Sequence, residues 1–85
     1  MSAERPDPAY DASADYPMQL NNYLGRTGQQ ESFRWDTAQE GPTAYPKHRA
    51  YAILNEKIIG QAQGNSKRIA KKVAAFWALR SLGQV

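Results

Sequence analysis

Four positively charged side chains fall within the first turns of the last helical segment of this 85-residue chain: Lys67, Arg68, Lys71 and Lys72. The start of a helix carries roughly half a positive charge, so a cation there costs about 0.3–1 kcal/mol instead of stabilising the helix. A sequence that keeps such cations usually has an anion to offset them, and the free N–H groups of a helix start suit phosphate. The cluster therefore predicts a phosphate-binding site at this helix start.

The distribution of charge along the chain also favours a polyanionic partner. Residues 1–15 carry four acids against Arg5, a balance of −3, and their lack of apolar periodicity predicts a disordered acidic arm. The remaining residues, 16–85, carry ten Lys and Arg against four Asp and Glu, a balance of +6. This basic part favours nucleic acid or an anionic membrane surface as partner, with a merely solvated basic surface as the alternative.

Composition argues against several other classes of protein. The chain has no cysteine and a single histidine, which leaves no disulfide and no usual zinc site. No apolar run approaches the roughly 20 residues of a membrane span, and the polar, acidic start is unlike a secretory signal. Neither a nucleophile–base pair nor paired carboxylates stand out for catalysis. We therefore expect an intracellular protein, cytoplasmic or nuclear, that is not an enzyme and uses no metal or cofactor.

Two helices are predicted, one on each side of a strand region. The first begins at residues 15–17, where an aspartate can cap the helix and a proline suits its first turn. Gly25 or Gly28 ends it. The second covers residues 66–82, with Asn65 or Ser66 as cap, and stops at a glycine.

Three short strands are predicted between the helices, at residues 32–36, 49–55 and 58–62. A long loop over residues 39–48, with one glycine and two prolines, separates the first two strands. Short connections favour an antiparallel meander, covered on one face by both helices. The expected architecture is an α+β domain over residues 16–85, of order α-β-β-β-α with a three-stranded antiparallel sheet.

A pattern of small, basic and apolar residues occupies the chain from Gly60 to Leu82: Gly60-x-Ala62-x-Gly64-x-Ser66-Lys67-Arg68-x-Ala70-Lys71-x-x-Ala74-Ala75-x-x-Ala78-Leu79-x-x-Leu82. It is preceded by Pro17-x-x-Leu20-Asn21-Asn22-Tyr23 and by Gly41-Pro42. Together these segments resemble the double-stranded RNA-binding domain family over about residues 16–83. The resemblance implies the same α-β-β-β-α fold and non-catalytic binding of duplex RNA by its shape.

The resemblance also implies roles for individual residues. Duplex RNA offers a shallow minor groove with 2′-hydroxyls and, across the major groove, only its phosphates. The residues expected to bind phosphates are Lys67, Arg68 and Lys71. The residues expected at the flanking minor grooves are Gln19, Asn22 and His48. Gly64 is expected to let the backbone approach the RNA closely, because it lacks a Cβ.

Two features depart from the family pattern. Asn22 stands where the family usually has a carboxylate, although asparagine keeps a hydrogen-bond acceptor. His48 lies six residues past Pro42, in a loop about three residues longer than usual for the pattern. A polar solvent face without RNA contacts, and a surface histidine without a role, are the alternatives at these positions.

A second apolar stripe on the last helix is unexpected for the family. It consists of Ile69, Val73, Phe76 and Trp77, roughly opposite the alanine face. One interpretation is a protein interface, such as a homodimer, and with it an interaction module that has lost RNA binding. The other is that Trp77 lies under the sheet edge while Tyr10 or Tyr16 folds over Phe76.

Overall fold

The computed structural model describes residues 9–42 and 44–85 of the chain. Their order confirms the predicted α-β-β-β-α architecture, with one added 3₁₀ turn before the first strand. The elements are α1 (Tyr16–Arg26), the 3₁₀ turn (Gln30–Ser32), β1 (Phe33–Glu40), β2 (Lys47–Leu54), β3 (Lys57–Gly64) and α2 (Lys67–Ser81). Across the described ranges, no helix combines the length and the apolar character needed to cross a membrane.

Side-chain caps fix where both helices begin. The Asp15 carboxylate accepts a hydrogen bond from the Met18 N–H at 3.1 Å, as the acidic cap at this position predicts. The Ser66 hydroxyl accepts one from the Ile69 N–H at 3.2 Å, so serine is the cap of α2. Gly83 ends α2 with a positive φ of 75°, a conformation that glycine adopts without strain. The local sequence therefore determines where both helices begin and where α2 ends.

The three strands form one antiparallel sheet in the order β1-β2-β3. All three are longer than predicted. Strands β1 and β2 stay paired from Phe33–Leu54 to Glu40–Lys47, and β3 pairs with β2 along its whole length. The prediction of a loop over 39–48 was therefore wrong, and the connection is only residues 41–46. The alternation of aromatic and polar side chains fades after the first residues of β1, whereas the backbone pairing continues. The sequence pattern therefore predicted too short a strand.

The two helices pack side by side on one face of the sheet. Helix α2 lies over the sheet through alanines with no exposed surface: Ala70, Ala74, Ala75 and Ala78. The closest approach is at Gly60 of β3, where an added Cβ atom would lie 2.4 Å from the Ala74 carbonyl oxygen. The same atom would lie 2.6 Å from the Ala78 nitrogen. A glycine at this point is therefore a condition for the helix to lie so close to β3.

The second apolar stripe of α2 is largely covered within the domain. Phe76 has no exposed surface, and its ring centroid lies 5.4 Å from that of Tyr10 and 5.1 Å from that of Tyr16. Val73 is buried, Trp77 is half-buried against Phe76, and Ile69 stays exposed. The tyrosines thus fold over Phe76, and the stripe is not the open face that a protein interface through it would need.

Residues 9–15, which the sequence placed in the disordered arm, pack along α2, while residues 1–8 lie outside the described residues. The Asp11 N–H donates to the Tyr16 hydroxyl at 2.7 Å, and the Lys72 ammonium donates to the Ala12 carbonyl. The Asp11 carboxylate accepts from the Ser13 hydroxyl at 2.7 Å. The hydrogen bonds from Ser13, and then the nearby Lys72, hold the pKa of Asp11 below its usual range.

Replacing Gly60 by alanine should destabilise the domain, because the new methyl group meets backbone atoms of α2 that cannot move independently. We expect a loss of about 1–3 kcal/mol in the free energy of unfolding, measured by urea denaturation. Gly25→Ala is the matched control, since its Cβ would lie 3.4 Å from the Gln30 side chain, at ordinary contact distance. An equal loss in both variants would contradict the close approach at Gly60.

Replacing Tyr10 by alanine should uncover Phe76 and remove two aromatic contacts. We expect a loss of about 1–3 kcal/mol in the free energy of unfolding by the same measurement. Tyr45→Ala is the control, because Tyr45 is 79% exposed and its loss should cost less than about 0.5 kcal/mol. A Tyr10→Ala variant as stable as the wild type would show that the arm does not pack on α2 in solution.

Candidate nucleic-acid interface

The cations of α2 are positioned by the turn between β3 and the helix. Strand β3 ends at Gly64, Ser66 caps the helix, and Lys67 and Arg68 occupy its first turn with exposed side chains. Lys71 follows one turn later on the same side and is half-buried. Within the part of the chain that the structure describes, none of these three cations forms a salt bridge with an acid. Their charge is therefore available to an external anion.

The cations line a cleft of about 650 Å³ between α2 and the arm. The lining residues are Ser13, Ala14, Asp15, Pro17, Lys67, Arg68, Lys71 and Lys72. Asp15 is the one acid in this set, and its carboxylate already caps α1. The cleft is therefore strongly positive, as the phosphate-binding prediction requires, although the sequence did not indicate that the arm forms one of its walls.

The four cations differ in how they are held. Lys67 and Arg68 extend into solvent from the first turn of the helix. The Lys71 ammonium lies over the face of Trp35, with 5.7 Å between its nitrogen and the ring centroid. The Lys72 ammonium donates a hydrogen bond to the Ala12 carbonyl of the arm. Lys72 therefore stabilises the arm, although it also lines the cleft.

Gly64 lies against the start of α2. A Cβ atom built on it would lie 2.7 Å from the Ile69 Cγ2 atom and 3.0 Å from the Ala70 nitrogen. The close approach that the missing side chain permits is thus with α2 of the same chain. Gly64 places the start of the helix, and through it the cations, against the end of β3.

The two predicted minor-groove residues of α1 come together on its exposed side. Gln19 and Asn22 line one shallow groove of about 190 Å³ with Arg26 and with Gln84 of the carboxyl-terminal segment. Asn21, the neighbour of Asn22, is instead bonded to Gln30 at 3.3 Å. Amide groups that can both donate and accept suit 2′-hydroxyls, so this patch has the chemistry expected for the minor groove.

His48 does not lie in the loop, in contrast to the expectation. It is in β2, paired with Gln39 on one side and Gly64 on the other. It points to the same side of the sheet as Ala50, which is buried against α2, because side chains two apart in a strand share a face. Its Nδ1 atom is buried and has no hydrogen-bond partner among the described residues. The shorter loop therefore separates His48 from the tip that was expected to reach the RNA.

Tyr45 is a residue of the loop tip that the sequence pattern did not single out. Its side chain is 79% exposed, and its N–H donates to the Pro42 carbonyl at 3.1 Å, which closes a turn. Pro46 follows and restricts the backbone further. The sequence could have indicated this residue, because it is an aromatic residue beside a proline in a loop with no other apolar residue of its size. The loop thus presents an aromatic ring and its hydroxyl to solvent.

The rest of the described surface offers no comparable site for other chemistry. No three His, Asp or Glu side chains among residues 9–42 and 44–85 come close enough together to hold a metal ion. Among the described residues, the salt bridges Arg34–Glu56 at 3.5 Å and Arg49–Glu40 at 3.4 Å join side chains of the sheet and its β2–β3 turn that are exposed or half-buried. Exposed pairs of this kind contribute little to stability, about 0–1 kcal/mol. The group Lys67, Arg68 and Lys71, which forms no salt bridge within the described residues, remains the main electrostatic feature.

Comparison with known families agrees with the fold. The family model described as "Double-stranded RNA binding motif" matches residues 17–82, which is most of the chain. The chain therefore belongs to this family of RNA-binding modules, and the resemblance seen in its sequence is confirmed. A search of curated proteins found none that matches this chain.

Proposed function

We propose that this domain binds double-stranded RNA by shape, without sequence preference and without catalysis. The observation that carries the proposal is the group Lys67, Arg68 and Lys71, which forms no salt bridge within the described residues and lines a positive cleft at the start of α2. Phosphates across the RNA major groove would offset both this charge and the unfavourable position of cations at a helix start.

Two further contacts are proposed at the flanking minor grooves. Gln19 and Asn22 of α1 would hydrogen-bond to 2′-hydroxyls through their side-chain amides. Tyr45 at the tip of the loop would contact the ribose of the next minor groove, in the place first expected for His48. Contacts of these kinds distinguish RNA from DNA, because DNA lacks the 2′-hydroxyl.

The central test is a titration of the purified domain with an RNA duplex of about 20 base pairs and with DNA of equal length. Two RNA duplexes of unrelated sequence should bind with equal affinity, and both should bind more tightly than the DNA. A strong preference for one RNA sequence, or for DNA, would contradict recognition by shape.

Replacing Lys67 and Lys71 together by alanine should weaken binding about equally for all RNA duplexes, because phosphates carry no sequence information. The plot of log affinity against log salt should also become shallower, by roughly one unit or slightly less per lost phosphate contact. The charge-matched control is Arg34→Ala with Lys57→Ala, at the opposite end of the sheet. An equal effect of the control would show that net charge alone drives binding.

Replacing Gln19 and Asn22 together by alanine should have a different signature. These side chains are uncharged, so affinity for RNA should fall while the salt dependence stays unchanged. The preference for RNA over DNA should narrow, because contacts to 2′-hydroxyls are lost. The affinities of the variant for both duplexes, measured over a range of salt, provide the check. An unchanged ratio of RNA affinity to DNA affinity would show that α1 is not part of the RNA interface.

The alternative is an interaction module that keeps the fold but has lost RNA binding. The basis of this alternative was the apolar stripe together with Asn22 and the altered loop. Burial of Phe76 under the two tyrosines closes most of the stripe and so weakens this basis. A complete lack of RNA binding at low salt would nevertheless support it. Sedimentation at high micromolar concentration would then show whether the domain associates with itself.

A further inference from the structure

Lys71 differs from the other cations of the cleft by its aromatic neighbour. Its ammonium nitrogen lies 5.7 Å from the centroid of the Trp35 ring, within the range of a cation–π interaction. Lys67 and Arg68 make no such contact in the described structure, where the other pair of this kind joins Arg26 to Tyr23. The position of the Lys71 head group is thus restricted by a residue of the sheet.

Trp35 is itself held in place. It lies in β1 opposite Ala52, on the side of the sheet that the helices cover, and packs against the buried residues there. Its ring meets that of Phe33 edge to face, with 5.5 Å between the centroids and an angle of 89°. The ring is only half-buried, so it can hold a side chain that also borders the cleft.

We propose that Trp35 is a positioning residue for RNA binding, acting through Lys71. This inference rests on the proposed function. It adds to the residues that affect RNA binding one that belongs neither to the cation group nor to the minor-groove contacts. A free lysine side chain has many rotamers, and their loss on binding opposes association. A cation held over an indole ring in the free protein has already lost part of this freedom. The phosphate therefore meets an ammonium group that is already near its place.

Two other lysines of the cleft are held differently from Lys71. Lys72, one residue further along α2, is held by the arm carbonyl of Ala12 and not by an aromatic ring. Lys67 is exposed in the first turn and makes no cation–π contact with Trp35 in the described structure. A change at Trp35 should therefore act through Lys71 alone. General loosening of the domain would instead affect all the cations of the cleft.

The geometry can first be tested without RNA. A methylene group above an indole face is shielded by the ring current, so the ε-protons of Lys71 should resonate upfield of those of Lys67 in a proton NMR spectrum. Trp35→Leu should abolish this difference, and Trp35→Phe should keep part of it. Identical shifts for the two lysines in the wild type would overturn the inference, whatever the domain binds.

A double-mutant cycle then tests the effect on binding. Trp35→Leu should weaken affinity for an RNA duplex of about 20 base pairs by about two- to fivefold, the range of an exposed cation–π contact. In a Lys71→Ala background the same change should have no further effect, because the side chain that it positions is gone. Trp35→Phe should restore most of the affinity, since it keeps an aromatic face.

The matched control is the same cycle with Lys72→Ala, in which the two changes should simply add. Thermal unfolding of each variant shows which of them remain folded at the temperature of the titration. An equal effect of Trp35→Leu with and without Lys71 would overturn the positioning role while leaving RNA binding intact. If the wild-type domain binds no RNA, the proposed function fails instead, and the NMR shifts still decide the Lys71–Trp35 contact.

Discussion

The close contact of α2 with β3 is the constraint on which the rest of the structure depends. At Gly60 the strand leaves no room for a Cβ atom, and the facing helix presents alanines with no exposed surface. Gly64 repeats the close contact at the end of the strand, beside the first turn of α2. Small residues on both elements thus fix the distance between α2 and the sheet and the point at which the helix starts. Close packing consequently places the backbone of the first turns, from which the cations project.

The other side of α2 shows how a small domain can bury a helix that is apolar on two faces. One face lies on the sheet, and the second is closed by Phe76 together with Tyr10 and Tyr16. The arm that carries Tyr10 is then tied down by the bond from Lys72 to Ala12. The same segment forms one wall of the positive cleft. The same segment therefore completes the core and forms part of the candidate interface.

The charges of the cleft are unfavourable for the isolated domain. Cations at a helix start oppose the helix dipole, and those of the cleft that lack an acidic partner also repel one another. The contact between Lys71 and Trp35 offsets part of this cost, and the arm carbonyl does the same for Lys72. A bound polyanion would offset the remainder. The electrostatic repulsion that weakens the free helix thus favours binding of double-stranded RNA, the partner that the family membership indicates.

The sequence by itself determined the order of the elements, the cap at Asp15, a cap of α2 at Asn65 or Ser66, and the identity of the cation cluster, because each depends on residues close together in the chain. Only the tertiary structure decided the lengths of the strands, the half-buried position of His48 and the burial of Phe76. Each of these depends on a partner distant in sequence: a pairing strand, a facing helix, or the arm. Local periodicity carries no information about such partners. For that reason the loop was predicted too long, and the sequence left two interpretations of the apolar stripe open.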